Sequence, residues 1–443
     1  MQAEQLNVTI TPLKTILINS EKKDLQVLVR IAAKAGVRES HTPLSVALVL
    51  DRSGSMRGAR LEAAKGAAKY FIDQLNPNDE VCLVTYDEKV AVPLPLTKIS
   101  GFRPLLPEIL SSISSGGSTN LHAGWLEGAQ QLAQQSGASR MCRVVLLSDG
   151  KANVGLKNVR AISDQVSQLA AAGITTTTVG IGLDFNEYLM TEVAIAGQGA
   201  AMYGDRAEDL IEPLEAEVGL LKNLVWHEVS LQIHGEFGHW TVHNPYASVE
   251  PGQWRLPSLA NQSEAWIALS IPMPHAIAAQ AGSSNNSALR ISVRAKKPDG
   301  DVQVVCASLL HLPVVSLEEF NDYSDDELVG RRFNEVEAAQ IQRQAYRAAG
   351  MRQWGRISQL LDQLEAKAND NPWLSETIVV LRRLLEARDQ SRLEKELMYA
   401  SHSLSSRLTE LDESISFSQR EELDKAAFLR RKIQQGRRSG SGN

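Results

Sequence analysis

Aromatic residues make up only 5% of the 443-residue chain, so its cores must be built from Val, Leu, Ile and Ala. Cysteine is almost absent. Cys82, Cys142 and Cys306 are too few and too widely spaced for a disulfide framework or a paired-cysteine metal site. Each lies in an apolar, strand-like stretch, which predicts three buried thiols in a reducing compartment. No segment approaches the ~18 uninterrupted apolar residues of a membrane span, so none is expected. The N-terminal MQAEQLNVTI has no basic region followed by an apolar run, which argues against a secretory leader and for a cytoplasmic protein. A large positive charge is also missing. The formal net charge is −6, so nucleic acid is not an expected partner. The sequence has no GxSxG nucleophile elbow and no phosphate-binding P-loop. VGIGLD (179–184) lacks the third glycine of a dinucleotide fingerprint and reads as a strand end and tight turn.

What is there falls into two kinds of pattern. Leu6, Val8 and Ile10 alternate, as do Leu25, Val27, Val29 and Ile31, which reads as half-buried antiparallel strands. The same period returns between about 225 and 315, at Val229, Leu231 and Ile233 and at Leu289, Ile291 and Val293, with a polar loop AAQAGSSNNSA (278–288) and a turn signal KPDGD (297–301). Residues 44–223 differ. Continuous apolar runs (SVALVL, EVCLVTY, RVVLLS, ITTTTVGIG) alternate with helical patterns, the signature of a parallel sheet covered on both faces.

The expected fold is therefore α/β: a doubly wound, mostly parallel sheet inserted in a β-sandwich and followed by a helical C-terminal region. Residues 1–42 supply the first sandwich strands, 43–223 the α/β domain, 224–318 the remainder of the sandwich and 319–435 the helices. In that last region one long helix is ended by Gly350, and a third helix runs through WLSETIVVLRRLLEARDQ and beyond. The Gly/Ser-rich end, 436–443, is expected to be a disordered tail.

In an open parallel sheet, ligands gather beyond the carboxyl ends of the strands. Three loops leave such ends. The first, DRSGSM, carries Asp51, Ser53 and Ser55. The second, GGSTNL, carries Thr119. The third, SDG, carries Asp149. Two carboxylates and three hydroxyls would converge, an all-oxygen set that suits a hard divalent cation. Alternation puts Asp51, Ser53 and Ser55 on one side of an extended loop, and Gly54 permits a tight turn. The competing reading of DRSGSM is helix capping, because Ser and Asp cap helices and a helix follows. Ser118 and Asn120 read as caps for the helix at Leu121, and His122 as a polar rim residue. His227, His234, His239 and His243 read as surface or core histidines and not as a zinc site.

This constellation resembles the metal-ion-dependent adhesion site of von Willebrand factor A domains. DRSGS fits the family's Asp-x-Ser-x-Ser, GGSTN its threonine loop and SDG its second aspartate, in the family's order, within residues 43–223. The resemblance implies that Ser53, Ser55 and Thr119 contact the metal directly or nearly so. Asp51 and Asp149 would act mainly through water or through hydrogen bonds to the hydroxyls. It implies Mg²⁺, with Mn²⁺ or Ca²⁺ as alternatives, completed by an Asp or Glu of a partner protein. The family's bacterial members add a MoxR-type AAA+ ATPase as a candidate partner. The layout is also similar, more loosely, to bacterial relatives of the inter-alpha-trypsin inhibitor heavy chains.

The expected function is thus a non-enzymatic adaptor or scaffold. Two other readings stay open. One is a metal-dependent phosphohydrolase with Asp51 at the active site, although Ser53 stands where a second acid would be wanted. The other is a constitutive structural subunit of an ATPase assembly.

Overall fold

The computed structural model describes residues 5–34, 42–134, 140–149, 152–182, 185–204, 206–234, 239–282, 287–297, 300–368, 371–406 and 409–410. The expected tail 436–443 lies outside the described residues, as do parts of the 278–288 loop and the KPDGD turn. The chain divides into two compact units, one of residues 38–224 and the other built from 1–37, 225–297 and 301–437.

The first unit is a six-stranded sheet. Its central strand β1 (Leu44–Asp51) is buried at every position. The chain continues through α1 (Ala59–Gln74), β2 (Glu80–Tyr86), β3 (Val90–Lys98), α2 (Leu106–Ser112), α3 (Leu121–Ala133) and β4 (Met141–Ser148). It ends with α4 (Val159–Ala171), β5 (Ile174–Ile181), α5 (Glu187–Ala196), β6 (Gln198–Gly204) and α6 (Ala207–Lys222). The strand order is β3-β2-β1-β4-β5-β6. All neighbours are parallel except the edge strand β3, which runs antiparallel to β2. The order reverses beside β1, so the loops leaving β1 and β4 open onto a switch-point crevice.

Helix α3 lies close on one face of this sheet. A Cβ on Gly128 would fall 2.5 Å from Val49 Cγ2, and one on Gly124 would fall 2.3 Å from the Tyr86 ring. Leu48 and Leu50 point the opposite way and are equally buried, so both faces are covered.

Strand β6 was not expected from the sequence. Its Gly199, Ala200 and Ala201 carry no β-branched signature, yet small side chains are what this edge requires. A Cβ on Gly199 would sit 2.2 Å from the Thr176 carbonyl oxygen.

The second unit contains the β-sandwich. One sheet runs Gln5–Pro12, Asp24–Lys34, Ser263–Pro272, Thr241–Val242. Asp24–Lys34 pairs directly with Ser263–Pro272, so strands from before and after the α/β domain share a sheet, as an insertion demands. The other sheet runs Ser248–Glu250, Gln253–Arg255, Leu224–His234, Ser287–Lys296, Val302–Leu310. Leu25, Val27, Val29 and Ile31 point inward against Leu231, Ile291 and Val293, as their period of two predicts. The expected polar loop 278–288 is partly helical instead, because a helix spans Met273–Gly282.

The C-terminal helices are α7 (Glu327–Gly350), α8 (Trp354–Glu365), α9 (Pro372–Glu386) and α10 (Gln390–Ser406). They dock on the sandwich. Leu28, Trp266 and Ala268, on the outer face of the first sheet, pack against Val329, Phe333 and Val336 of α7. Arg332 is buried there, its guanidinium 5.1 Å from the Trp266 ring centroid and 2.8 Å from Glu335. The single third helix expected from the sequence is two helices, α9 and α10, separated at Arg388, whose φ is 51°. No helix among the described residues is long and apolar enough to cross a membrane.

Candidate metal centre

Strand β1 delivers Asp51 to the carboxyl edge of the sheet, fully buried. Both carboxylate oxygens are held. Oδ1 accepts the Ser53 amide at 2.8 Å, and Oδ2 accepts Ser148 Oγ at 2.6 Å and Tyr86 OH at 3.3 Å. Burial pushes the Asp51 carboxyl above the ordinary range. The bonds from Ser148 and Ser53 oppose this, and the charge of Asp149 adds to it.

Beyond Asp51 the chain makes one 3-10 turn, Gly54–Met56, before α1 begins. Ser53 Oγ lies 3.1 Å from Ser55 Oγ. Neither serine caps α1. That helix starts from Gly58, whose φ is 78°, with no side-chain cap, and Ser53 makes no side-chain cap bond to the 3-10 turn. The helix-capping reading of DRSGSM is therefore not what the fold uses.

The second loop is fastened to the first by backbone. Gly116 N–H donates to Arg52 O at 2.6 Å, and Gly54 N–H donates to Gly117 O at 2.8 Å. Arg52 also pairs with Asp87 at 2.7 Å. Thr119 is buried, its N–H donating to Asn153 Oδ1 at 2.8 Å. Its carbonyl accepts the amides of Asn153 and Val154, each at 3.1 Å. Asn153 thereby ties the second loop to the segment after β4. Asn120 caps α3 as expected, accepting the Ala123 amide at 3.3 Å. Ser118 does not cap it, and its amide donates to Glu88 Oε2. His122 bonds Gln165 at 2.8 Å.

The third loop holds Asp149, fully buried, with Oδ2 3.7 Å from Arg60 Nη1. Gly150 lies outside the described residues. Ser148, Tyr86, Asn153 and Arg60 are the site's supporting residues that sequence reasoning did not single out. Ser148 alone had a signal, as the residue before Asp149 in SDG.

The three loops thus meet at one end of the sheet with two buried carboxylates near each other. No group of three or more His, Cys, Asp or Glu that could hold a metal ion occurs among the described residues. A centre of two carboxylates and three hydroxyls would not form such a group. Its oxygen-only donors fit a hard divalent cation. The histidines bind elsewhere: His227 to Lys297 O, His234 to Ser292 Oγ and His243 to Ser270 Oγ. Cys82 and Cys142 are buried as expected, whereas Cys306 is exposed on its edge strand.

A family model described as the von Willebrand factor type A domain matches residues 45–214. The uncharacterized protein YfbK of Escherichia coli is 28% identical over 241 residues, 53% of this chain and 41% of that protein. Human inter-alpha-trypsin inhibitor heavy chain H4 is 25% identical over 170 residues, 36% of this chain and 18% of that protein. The chain spans less than half the length of each of these two relatives. A solved von Willebrand factor type A structure from Catenulispora acidiphila superposes with a TM-score of 0.67 at 16% identity. It covers 91% of this chain and 97% of that one, so the likeness of fold extends beyond the α/β unit.

Proposed function

Residues 45–214 are a von Willebrand factor type A domain, and from that premise we propose that the protein is a metal-dependent protein-interaction module acting as an adaptor or scaffold. Ser53, Ser55, Thr119, Asp51 and Asp149 would hold a divalent cation, Mg²⁺ first, with Mn²⁺ or Ca²⁺ as substitutes. The bound ion would supply a Lewis-acidic position for an Asp or Glu carboxylate of a partner protein. A MoxR-type AAA+ ATPase is a candidate for that partner. The three free cysteines, two of them buried, fit a cytoplasmic location.

One observation carries this reading. The bonds Gly54–Gly117, Thr119–Asn153 and Asp51–Ser148 fasten the loops that leave β1 and β4 to the Thr119 loop, which follows helix α2 and not a strand as expected, and the hydroxyls of Ser53 and Ser55 are not spent on capping α1. This chain's own part in recognition is to keep those hydroxyls and carboxylates in place before any partner arrives. The phosphohydrolase alternative is disfavoured by Asp51 itself. A nucleophile needs an accessible oxygen, and Asp51 is fully buried with both oxygens accepting hydrogen bonds.

The test is calorimetric titration of the EDTA-stripped protein with Mg²⁺ and Mn²⁺, alongside an affinity pull-down with and without divalent ions. Wild type should take up one ion per chain, and Asp51→Ala should take up none. A wild-type protein that binds neither ion would overturn the proposal.

A further inference from the structure

We infer that Arg60 is a built-in counter-ion of the metal centre. It weakens capture of the divalent cation and, once the ion is bound, makes the loaded face select an acid over a neutral oxygen ligand. This rests on the adhesion-site reading above and extends it to one residue outside the five.

Arg60 is the second residue of α1, at the helix end that faces the site. Its guanidinium turns back toward the loop, with Nη1 3.3 Å from Ser55 O and 3.7 Å from Asp149 Oδ2. The side chain lies against Gly182: a Cβ there, at φ 83°, would fall 2.7 Å from Arg60 Nε, so the backbone leaving β5 accommodates the guanidinium only because it carries no side chain. Asp149 is fully buried, while Arg60 is about one quarter exposed. The partner of a buried carboxylate thus reaches solvent beside the centre.

The charges then decide the chemistry. Asp51 and Asp149 contribute two buried negative charges at the site, the nearby Arg52–Asp87 pair cancels itself, and Glu88, which accepts the Ser118 amide, is exposed and screened by solvent. A divalent ion would bring the charge of these two carboxylates to balance, and the preference for a carboxylate over an amide carbonyl would then come from the ion's local field alone. Arg60 adds one positive charge. It repels an arriving cation and leaves the loaded centre net positive, which favours an anionic ligand. A purely structural arginine would not push these two affinities in opposite directions.

The experiment measures Mn²⁺ affinity by calorimetry. Water-proton relaxation enhancement of the Mn²⁺-loaded protein then follows displacement by acetate or by acetamide, for wild type, Arg60→Gln and Arg60→Lys. Arg60→Gln should bind Mn²⁺ about two- to fivefold tighter and acetate weaker by a similar factor, with acetamide little changed, as expected for a partly exposed charge. Arg60→Lys keeps the charge and should stay close to wild type. Thermal melts in EDTA identify any variant that does not fold, in which case the salt dependence of wild-type acetate binding replaces it: a flat dependence overturns the inference. Wild type that takes up Mn²⁺ while Arg60→Gln binds it no tighter overturns this inference alone. Wild type that takes up no Mn²⁺ overturns the adhesion-site reading as well.

Discussion

Gly54 donates its amide to the carbonyl of Gly117 across 2.8 Å, and this bond holds the serine loop against the threonine loop. The approach depends on glycine in the second loop. A Cβ on Gly116 would fall 1.8 Å from Asp87 Oδ2, whereas one on Gly117 would meet the far end of the exposed Glu88 side chain. Asp87 is buried and paired to Arg52, so it cannot swing away cheaply. Gly116→Ala is therefore expected to cost about 1–3 kcal/mol of stability and to weaken Mn²⁺ uptake. Gly117→Ala should leave both near wild type. Thermal melts and Mn²⁺ titrations of the two variants check the contrast, and equal behaviour would show that the steric argument is wrong.

Asp51 gives a prediction about the metal-free protein. Burial raises its carboxyl above the unfolded value, so the folded state binds that proton more tightly than the unfolded chain does. The sign follows directly. Above the raised value the buried charge lowers stability, and that penalty is relieved as the pH falls through it. Asp51→Asn should accordingly be at least as stable as wild type in EDTA at pH 7, while losing divalent-ion binding. Melting temperatures in EDTA from pH 5 to 8 test this. A variant clearly less stable than wild type across the range would mean that the bonds from Ser53, Ser148 and Tyr86 outweigh the desolvation.

Legibility of the sequence differed from place to place for physical reasons. The central strands were plain because a parallel strand buried on both faces must be a continuous apolar run, as in LSVALVLD. The division of the sandwich around the α/β domain was legible from a change of period, and the pairing of Asp24–Lys34 with Ser263–Pro272 realises it. The motif residues Asp51, Ser53, Ser55, Thr119 and Asp149 could be picked out because each follows a strand or precedes a helix. Their supports could not. Tyr86, Asn153 and Arg60 act through tertiary contacts that no local pattern encodes. Docking of α7 on the sandwich was hidden in Leu28, which breaks the alternation of its strand because it faces the helix.

The thiols provide an independent check on burial. Burial pushes Cys82 up to about 12 and Cys142 up to about 11, so neither forms appreciable thiolate near neutral pH. Cys306 is exposed. An aromatic disulfide reagent at pH 8 should titrate one thiol rapidly in the native protein and all three after denaturation. Cys306→Ser should remove the fast phase alone. Rapid reaction of two or three native thiols would contradict the sheet packing around Cys82 and Cys142.

The helix ends in the C-terminal region carry the last prediction. Helix α9 closes with Arg388 N–H bonded to Leu385 O and Asp389 N–H bonded to Leu384 O, with Arg388 at φ 51°. Helix α7 closes in the same way, with Arg352 at φ 54° and bonds to Ala349 O and Ala348 O. These are the paired bonds of a Schellman ending, whose left-handed residue is ordinarily glycine. Arginine stands there twice. That is why the sequence showed no break between α9 and α10, and although α7 does end at Gly350 as read, the left-handed residue of its ending is Arg352 and not that glycine. A left-handed conformation strains any residue with a Cβ. Arg388 is exposed, so replacing it removes little packing. Arg388→Gly should stabilise the helical region by about 0.5–1 kcal/mol, because relief of strain outweighs the greater freedom of the unfolded chain. Arg352→Gly should gain less, because Arg352 Nε also donates to Gln390 Oε1 at 2.9 Å. Urea unfolding followed by helical circular dichroism would rank the two variants. Destabilisation by Arg388→Gly would mean that its side chain contributes more than its backbone strain costs.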